Sequence, residues 1–339
     1  DAKTSTPIQG ALVAIDANRY AAVQALKNSS IVTVTAATGA DLEPANTAGS
    51  VSLSGGTESA AVLADWTTAL ESIQTESIQI VAALPSNLLD VSGISGVHTA
   101  VRDHCKFMAG AGANERNCWL GATKDETLSA LFARTKSLNS RFASLVFQDI
   151  TVVDPTGASR TLDPSWTACL MAGMQSGTDI AIPLTRKRPN VVSADQNANI
   201  KPTQNANDLL SKGLCFFSKD RLGLMVERSL TTYMTDDNPI YSEVSANESV
   251  NTSIRDLRNN LNTLIGDPAV ITTASRIKTL TLARLNTQVN DGIIKAFVEA
   301  SVVIEDLGDT FKVTYTMAAI EPINFIVVTA VVDRIAGTA

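Results

Sequence analysis

Histidine is nearly absent from this sequence: His98 and His104 are the only two in 339 residues. A Ser-His-Asp or Cys-His site would have to use one of them. Residue spacing puts both on one expected helix, where an ordinary structural histidine is the plainer reading. His104 beside Cys105 becomes a metal pair only if distant ligands join it. The four cysteines, Cys105, Cys118, Cys169 and Cys215, contain no CxxC pair. Their neighbours are apolar or small, so they read as buried free thiols of a reducing compartment. The phosphate-loop Lys-Ser/Thr is also missing. Ala109-Gly110-Ala111-Gly112-Ala113 has Glu115 where a dinucleotide fold needs its third glycine, so it reads as a helix end and a turn. Gly93-Ile94-Ser95-Gly96 brings its second glycine one residue too early for a nucleophile elbow. Asp236-Asp237-Asn238 lacks the spaced oxygens and distal Glu of a calcium loop and reads as a solvated loop. No cofactor, metal or catalytic residue is therefore expected.

Other shortages exclude whole classes of partner. No apolar run reaches the roughly 18–20 residues that cross a bilayer, and Asp1 opens a polar stretch instead of a basic and apolar leader. The chain reads as soluble and unexported, without membrane insertion. It starts without Met and is expected to be trimmed or partial. A net charge of -7 argues against nucleic acid as a direct partner, because phosphate binding needs a clustered cationic face. Charged residues make up only 18% against 45% apolar. That is lean for a free monomer and fits a chain that buries surface against copies of itself.

What is present is an orderly succession of elements. The length suggests two or three compact units. Residues 1–50, with a helix at Asn18 to Leu26 and a strand at Ile31 to Val34, read as the remnant of a peripheral domain. From 51 to 190, helices and strands alternate. A helix carries Leu63, Trp66, Leu70 and Ile73, and Ile78 to Leu84 is an apolar strand covered on both faces. Ile94, Val97, Val101, Cys105 and Met108 mark the next helix, and Cys118-Trp119-Leu120 a strand. Thr123 and Glu126 form a capping box for a helix carrying Leu128, Leu131, Thr135 and Leu138. Ser144 to Phe147 is a strand, and Thr151 to Val153 and Arg160 to Leu162 flank a projecting hairpin at Asp154-Pro155-Thr156-Gly157. Asp163 and Pro164 then start a helix whose Ala168, Ala172 and Gly173 permit close approach. This alternation predicts a three-layer α/β central domain with a mainly parallel sheet.

The polar stretch from Leu184 to Asn207 is the expected boundary, and residues 191–339 read as a carboxy-terminal α+β domain with helices packed on a small sheet. Leu214 to Phe217 and Leu222 to Glu227 suggest a hairpin. A long helix presents Val250, Ile254, Leu257, Leu261 and Leu264 and stops at Gly266-Asp267-Pro268. Another helix runs from Thr273 to Val289, and strands follow at Ala296 to Ile304, Phe311 to Met317 and Phe325 to Val332.

Several of these segments together resemble the contractile bacteriophage tail sheath proteins. Ser54-Gly55-Gly56-Thr57 before a helix, then Ile78-Gln79-Ile80-Val81-Ala82-Ala83-Leu84-Pro85, is similar to the opening of that family's central domain. Asn139-Ser140-Arg141 entering Leu145-Val146-Phe147, the Asp154 to Gly157 hairpin, and Ala168 to Met174 leading to Ile182-Pro183-Leu184-Thr185-Arg186-Lys187 continue the likeness. Ser253-Ile254-Arg255, Gly266-Asp267-Pro268, Asn290-Asp291-Gly292 and three closing strands resemble its carboxy-terminal domain in kind and order. The likeness covers residues 51 to 335, while the family's usual amino-terminal arm has no convincing counterpart in Asp1 to Pro7.

The resemblance implies a structural subunit of a virion tail, assembled in the host cytoplasm, that polymerises helically around an inner tail tube protein and meets baseplate and tail terminator proteins. It also implies terminal arms that add strands to neighbouring subunits. In Phe325 to Val332, with Phe325, Val327, Val328, Val331 and Val332, the residues alone favour an interior strand, and the resemblance favours an inter-subunit one. Arg276, Lys278 and Arg284 give the helix 273–289 cations without an acid. That face is expected either to meet the tube or to be merely solvated. Arg276 and Arg284 lie about 80° apart around the helix, and Lys278 points elsewhere. Alternatives are the sheath of a tailocin or secretion-type injection machine and, from another class, a degenerate α/β hydrolase or nucleotide binder.

Overall fold

A computed structural model describes residues 61–84, 96–195, 202–236, 238–270 and 272–324. The expected peripheral domain at 1–50, the Ser54 to Thr57 turn, Gly93 to Ser95 and the strand at Phe325 to Val332 lie outside the described residues. So does Asp237.

The first helix, α1 (Leu63–Ser72), leads into β1 (Ile80–Ala82), and α2 (Val97–Ala109), β2 (Asn117–Gly121), α3 (Leu128–Leu138) and β3 (Ala143–Val146) continue the alternation. Strands β1, β2 and β3 pair parallel in that order. The fourth, β7 (Leu214–Cys215), pairs parallel with β3 through Leu145 and Val146. Side-chain direction alternates along a strand, so each strand feeds two cores. Cys118, Leu120, Ala143, Leu145 and Leu214 enter one with α2, α3 and α5 (Pro202–Ser211). Trp119, Val146 and Cys215 enter the other with Ala168 and Met171 of α4 (Pro164–Ser176). This is the expected three-layer arrangement. Burying side chains such as Leu120 and Leu145 stabilises it by about 1.5–3 kcal/mol each.

Asp163 and Pro164 start α4 at the expected position, with Pro164 in the first turn, but the Asp163 side chain makes no capping bond. The third helix is capped instead by Thr127, whose Oγ1 accepts from Ala130 N at 3.3 Å. Only part of the expected box exists: Thr123 N donates to Glu126 Oε2 at 3.0 Å, and the same carboxylate is bound by Arg134. The strand β1 packs Val81 into one core and Ile80 and Ala82 into the other, as expected of a strand covered on both faces, but it is only half-buried because it stands at the sheet edge. Gly173 meets nothing; the close approach belongs to Gly121, where a Cβ would fall on the backbone of Pro164 and Ser165. It lets the end of β2 touch the start of α4.

Beside the sheet, β4 (Asp149–Val153) pairs antiparallel with β5 (Ser159–Leu162) and with β6 (Ser193–Asp195). The expected hairpin is present, its Gly157 at φ 85°. Two further strands, β8 (Phe217–Asp220) and β9 (Gly223–Val226), form a second hairpin. Both β6 and β7 come from beyond residue 190, so a boundary there leaves two strands of the first unit's sheets on the second unit's side. Within that stretch Arg186, Lys187, Arg188 and Asn190 are exposed.

The remaining described chain is helical, then β. A short α6 (Pro239–Ser242) precedes the long α7 (Val244–Leu261), and α8 (Thr273–Asn290) precedes β10 (Ala296–Asp306) and β11 (Phe311–Ala318). The two strands pair antiparallel and pack on α8 through Leu285, Val302, Phe297, Ile304, Tyr315 and Met317. This is the expected α+β part.

Because backbone and not a flexible side chain blocks the space beside Gly121, Gly121→Ala is expected to cost about 1–3 kcal/mol. Urea titration of the variant against the parent checks it.

Candidate assembly site

The expected apolar stripe of α7 does not face the core. Of Val250, Ile254, Leu257, Leu261 and Leu264, only Leu257 is buried. The buried side carries Asn247, Ser249, Asn251 and Ser253. Such a face is stable only if its polar groups are paired, and here they are paired in two directions. Toward the sheet, Asn247 Nδ2 donates to Asn117 Oδ1 at 2.9 Å and to Arg141 O at 2.9 Å, and Arg141 donates back to Asn247 Oδ1 at 3.1 Å. Asn251 Nδ2 also donates to Asn117 Oδ1, at 3.1 Å. Arg255 donates to Glu115 O and Glu248 Oε1, and Arg258 donates to Glu115 Oε2 at 3.0 Å.

Toward α8, Ser253 Oγ donates to Gln288 Oε1 at 2.6 Å, and Gln288 Nε2 donates to Asp256 Oδ2 at 2.7 Å. Arg284 grips both oxygens of Asp256. Burial alone would raise the Asp256 carboxyl, but the bonds from Arg284 and Gln288 outweigh it and hold it below its ordinary value; the same pairing raises Arg284. The base expected on an open helix face therefore serves as a clasp between α7 and α8. Arg276 is exposed and pairs with Asp267 at 3.0 Å, and Lys278 is exposed. The three cations do not form one patch.

The hairpin carried by these helices is long and unshared. Among the described residues, no third strand joins either edge of β10 or β11. Its ladder is interrupted between Val298 and Val303, and Ser301 fills the gap: its Oγ donates to Val298 O at 2.6 Å and accepts from Thr316 N at 2.8 Å. Nothing in the sequence pattern marked that role. Phe325, Val327, Val328, Val331 and Val332 lie outside the described residues.

Residues weighed for chemistry are occupied structurally. Arg116 donates to His104 Nε2 at 2.9 Å and to the carbonyls of Gln74 and Glu76. Since a guanidinium only donates, His104 accepts as a neutral ring; burial and then Arg116 lower its pKa. His98 Nδ1 lies 3.4 Å from Arg134, which is held by Glu126. Burial pushes the Cys215 thiol up to about 12, and the four cysteines are unbridged. Gly112 lies against Met108 after the end of α2, the turn expected of that alanine-glycine run. Asp236 and Asn238 cap local backbone. No three potential ligands cluster for a metal, and no helix is long and apolar enough to cross a membrane, among the described residues.

No protein-family profile matches the chain. Curated sequences do. The tail sheath protein of Bacillus phage SP01 is 24% identical over 278 residues, 81% of this chain and 47% of its own length. The tail sheath protein of Staphylococcus phage Twort is 26% identical over 284 residues, 82% of this chain and 46% of its own. The chain is thus similar in sequence to phage tail sheath proteins. It spans about half the length of these sheath relatives. Its fold matches the sheath of the anti-feeding prophage, solved as a contracted helical sheath, with TM-score 0.59 and 15% identity over 82% of this chain and 76% of that one.

Two outcomes are expected. Asn247→Ala strips partners from Asn117 and Arg141 and is expected to cost about 2–3 kcal/mol, read by denaturant unfolding. His104 has a folded pKa below its unfolded value, so the unfolded state takes up the proton first. Stability is then expected to fall as pH drops below about 6.5, and His104→Gln to flatten that slope in melts across about pH 7 to 5.

Proposed function

We propose that the chain is a structural subunit of a contractile phage tail sheath. It polymerises as a helical tube around the inner tail tube and contracts to drive that tube through the host envelope during genome delivery. The hairpin β10–β11 carries this reading. Its two edges lack strand partners among the described residues, and an open edge gains main-chain hydrogen bonds when a segment of another subunit adds to it. Phe325 to Val332 is the proposed donor, through Phe325, Val327, Val328, Val331 and Val332. Its apolar character at both parities suits a strand covered on two faces.

The exposed turns of α8, with Arg276 and Lys278, are the proposed tube-facing surface; Arg284 acts from behind by holding α8 to α7. Baseplate and tail terminator proteins are the proposed partners at the ends, and the role is structural, not catalytic. Contraction then consists of rigid subunits exchanging one packing for a better one. The named curated relatives come from phages and favour a phage tail over a tailocin or secretion machine.

Negative-stain electron microscopy of the purified chain, concentrated at low and moderate salt, is expected to show tubes or stacked rings. A full-length protein that stays monomeric under all these conditions overturns the reading.

A further inference from the structure

Although the protein is acidic, one surface of the first unit is not. The loop after α4 runs beside β9: Arg186 N donates to Val226 O at 2.8 Å, and Val226 N donates to Lys187 O at 2.9 Å. On the other side of β9 lies β8, with Lys219 opposite Leu224, and Arg221 occupies the turn between them. Neighbouring strands lie about 4.8 Å apart. Arg186, Lys187, Arg188, Lys219 and Arg221 thus share a ribbon about 10 Å wide, comparable to the screening length in about 0.1 M salt. All five are exposed. Asp220 offsets Arg188 at 2.7 Å, and Glu227 is half-buried and accepts from Ser218. Among the described residues, no ion pair engages the other four bases.

The opposite charge stands on the other half of the molecule, at the turn of the β10–β11 hairpin. Glu305, Asp306 and Asp309 are exposed there, and Asp267 lines the same groove as Asp309. Lys312 lies 3.6 Å from Glu305, and Arg276 offsets Asp267. Asp306 and Asp309 bond only within the turn, to Gly308 N and Thr310 Oγ1. Leu307 is exposed between the acids. Among the described residues, no ion pair joins the acidic turn to the basic ribbon within one chain.

We infer that the basic ribbon at Arg186, Lys187, Arg188, Lys219 and Arg221 docks the acidic hairpin turn of a second copy of this chain. The inference rests on the sheath reading and adds to it a charged contact distinct from strand exchange. Ribbon and turn are different surfaces, so the contact is heterologous and leaves a free ribbon at one end and a free turn at the other. Repetition yields a ring or an open helix. The whole-chain charge of -7 favours such a partner over an anionic polymer, because a nucleic acid would meet repulsion around the ribbon. The ribbon sets register and encounter rate, and salt weakens it.

The test uses the full chain with two reversed surfaces, Lys187→Glu with Arg221→Glu, and Asp306→Lys with Asp309→Lys. Sedimentation velocity at low salt reads self-association, and unchanged circular dichroism and melting confirm folding of these exposed variants. Each reversal alone is expected to weaken association about tenfold or more, and mixing the two variants to restore it to within about threefold of the parent. The milder Lys187→Gln with Arg221→Gln is expected to fall between. Reversed variants that associate like the parent, or a mixture that does not recover, overturn the ribbon–turn contact while a parent that forms tubes keeps the sheath reading. A full-length parent that stays monomeric at every salt concentration overturns both.

Discussion

The polar face of α7 is the constraint on which the rest of the molecule depends. One helix presents amides and hydroxyls to two sides, binding Asn117 and Arg141 at the sheet and Gln288 and Arg284 on α8. An apolar seam between the same parts would tolerate sliding, since hydrophobic contact is non-directional. Hydrogen bonds with fixed donors and acceptors do not, and a shift of one helical turn would leave several buried groups unpaired at about 1–3 kcal/mol each. The seam thus fixes where the hairpin stands relative to the sheet. In the proposed assembly, a hairpin that shares strands is useful only if that position is reproducible from subunit to subunit.

The same logic governs the inner layers. His98, His104 and the buried arginines Arg116 and Arg134 are engaged in holding α1, α2 and α3 against the sheet. A buried guanidinium is costly unless it is paired and hydrogen-bonded, and Arg116 meets this through its two terminal nitrogens while its Nε is left without a partner. Arg134 meets the Glu126 carboxylate with two of its nitrogens, and Arg116 meets two carbonyls and a neutral ring. The side chains that looked most like chemistry are therefore framework.

Much of the fold was legible because strand parity and helix spacing are local signals. Cys118, Trp119 and Leu120 alternate between two cores as their pattern implied, and Asp163-Pro164 announced α4 without help from the tertiary structure. The failures share one cause. Val250, Ile254 and Leu261 looked like a core stripe by spacing alone, but which face of a helix is buried depends on what the rest of the chain offers it, and Asn117 and Gln288 lie far away in sequence. Arg284 looked free because its acid, Asp256, sits 28 residues upstream on another helix. Of Ala168, Ala172 and Gly173, the two alanines do pack on the core while Gly173 does not, and only tertiary geometry could assign the tightest approach to Gly121. As to the assembly site, composition suggested self-association and the strands at 296–304 and 311–317 were foreseen. The bulge at Ser301 and the grip of Arg284 on Asp256 were not.

The bond between Asn117 and Asn247 joins residues 130 positions apart. Contacts of such long range form late, because much chain must be closed before they repay its entropy. During synthesis, β1, β2 and β3 emerge first and can begin to collapse on their local helices, whereas α7 has nothing to bind until they have done so. The hairpin at residues 296–318 emerges later still. Its open edges, the part of the molecule most prone to premature pairing, thus leave the ribosome after the surface that will orient them has been made.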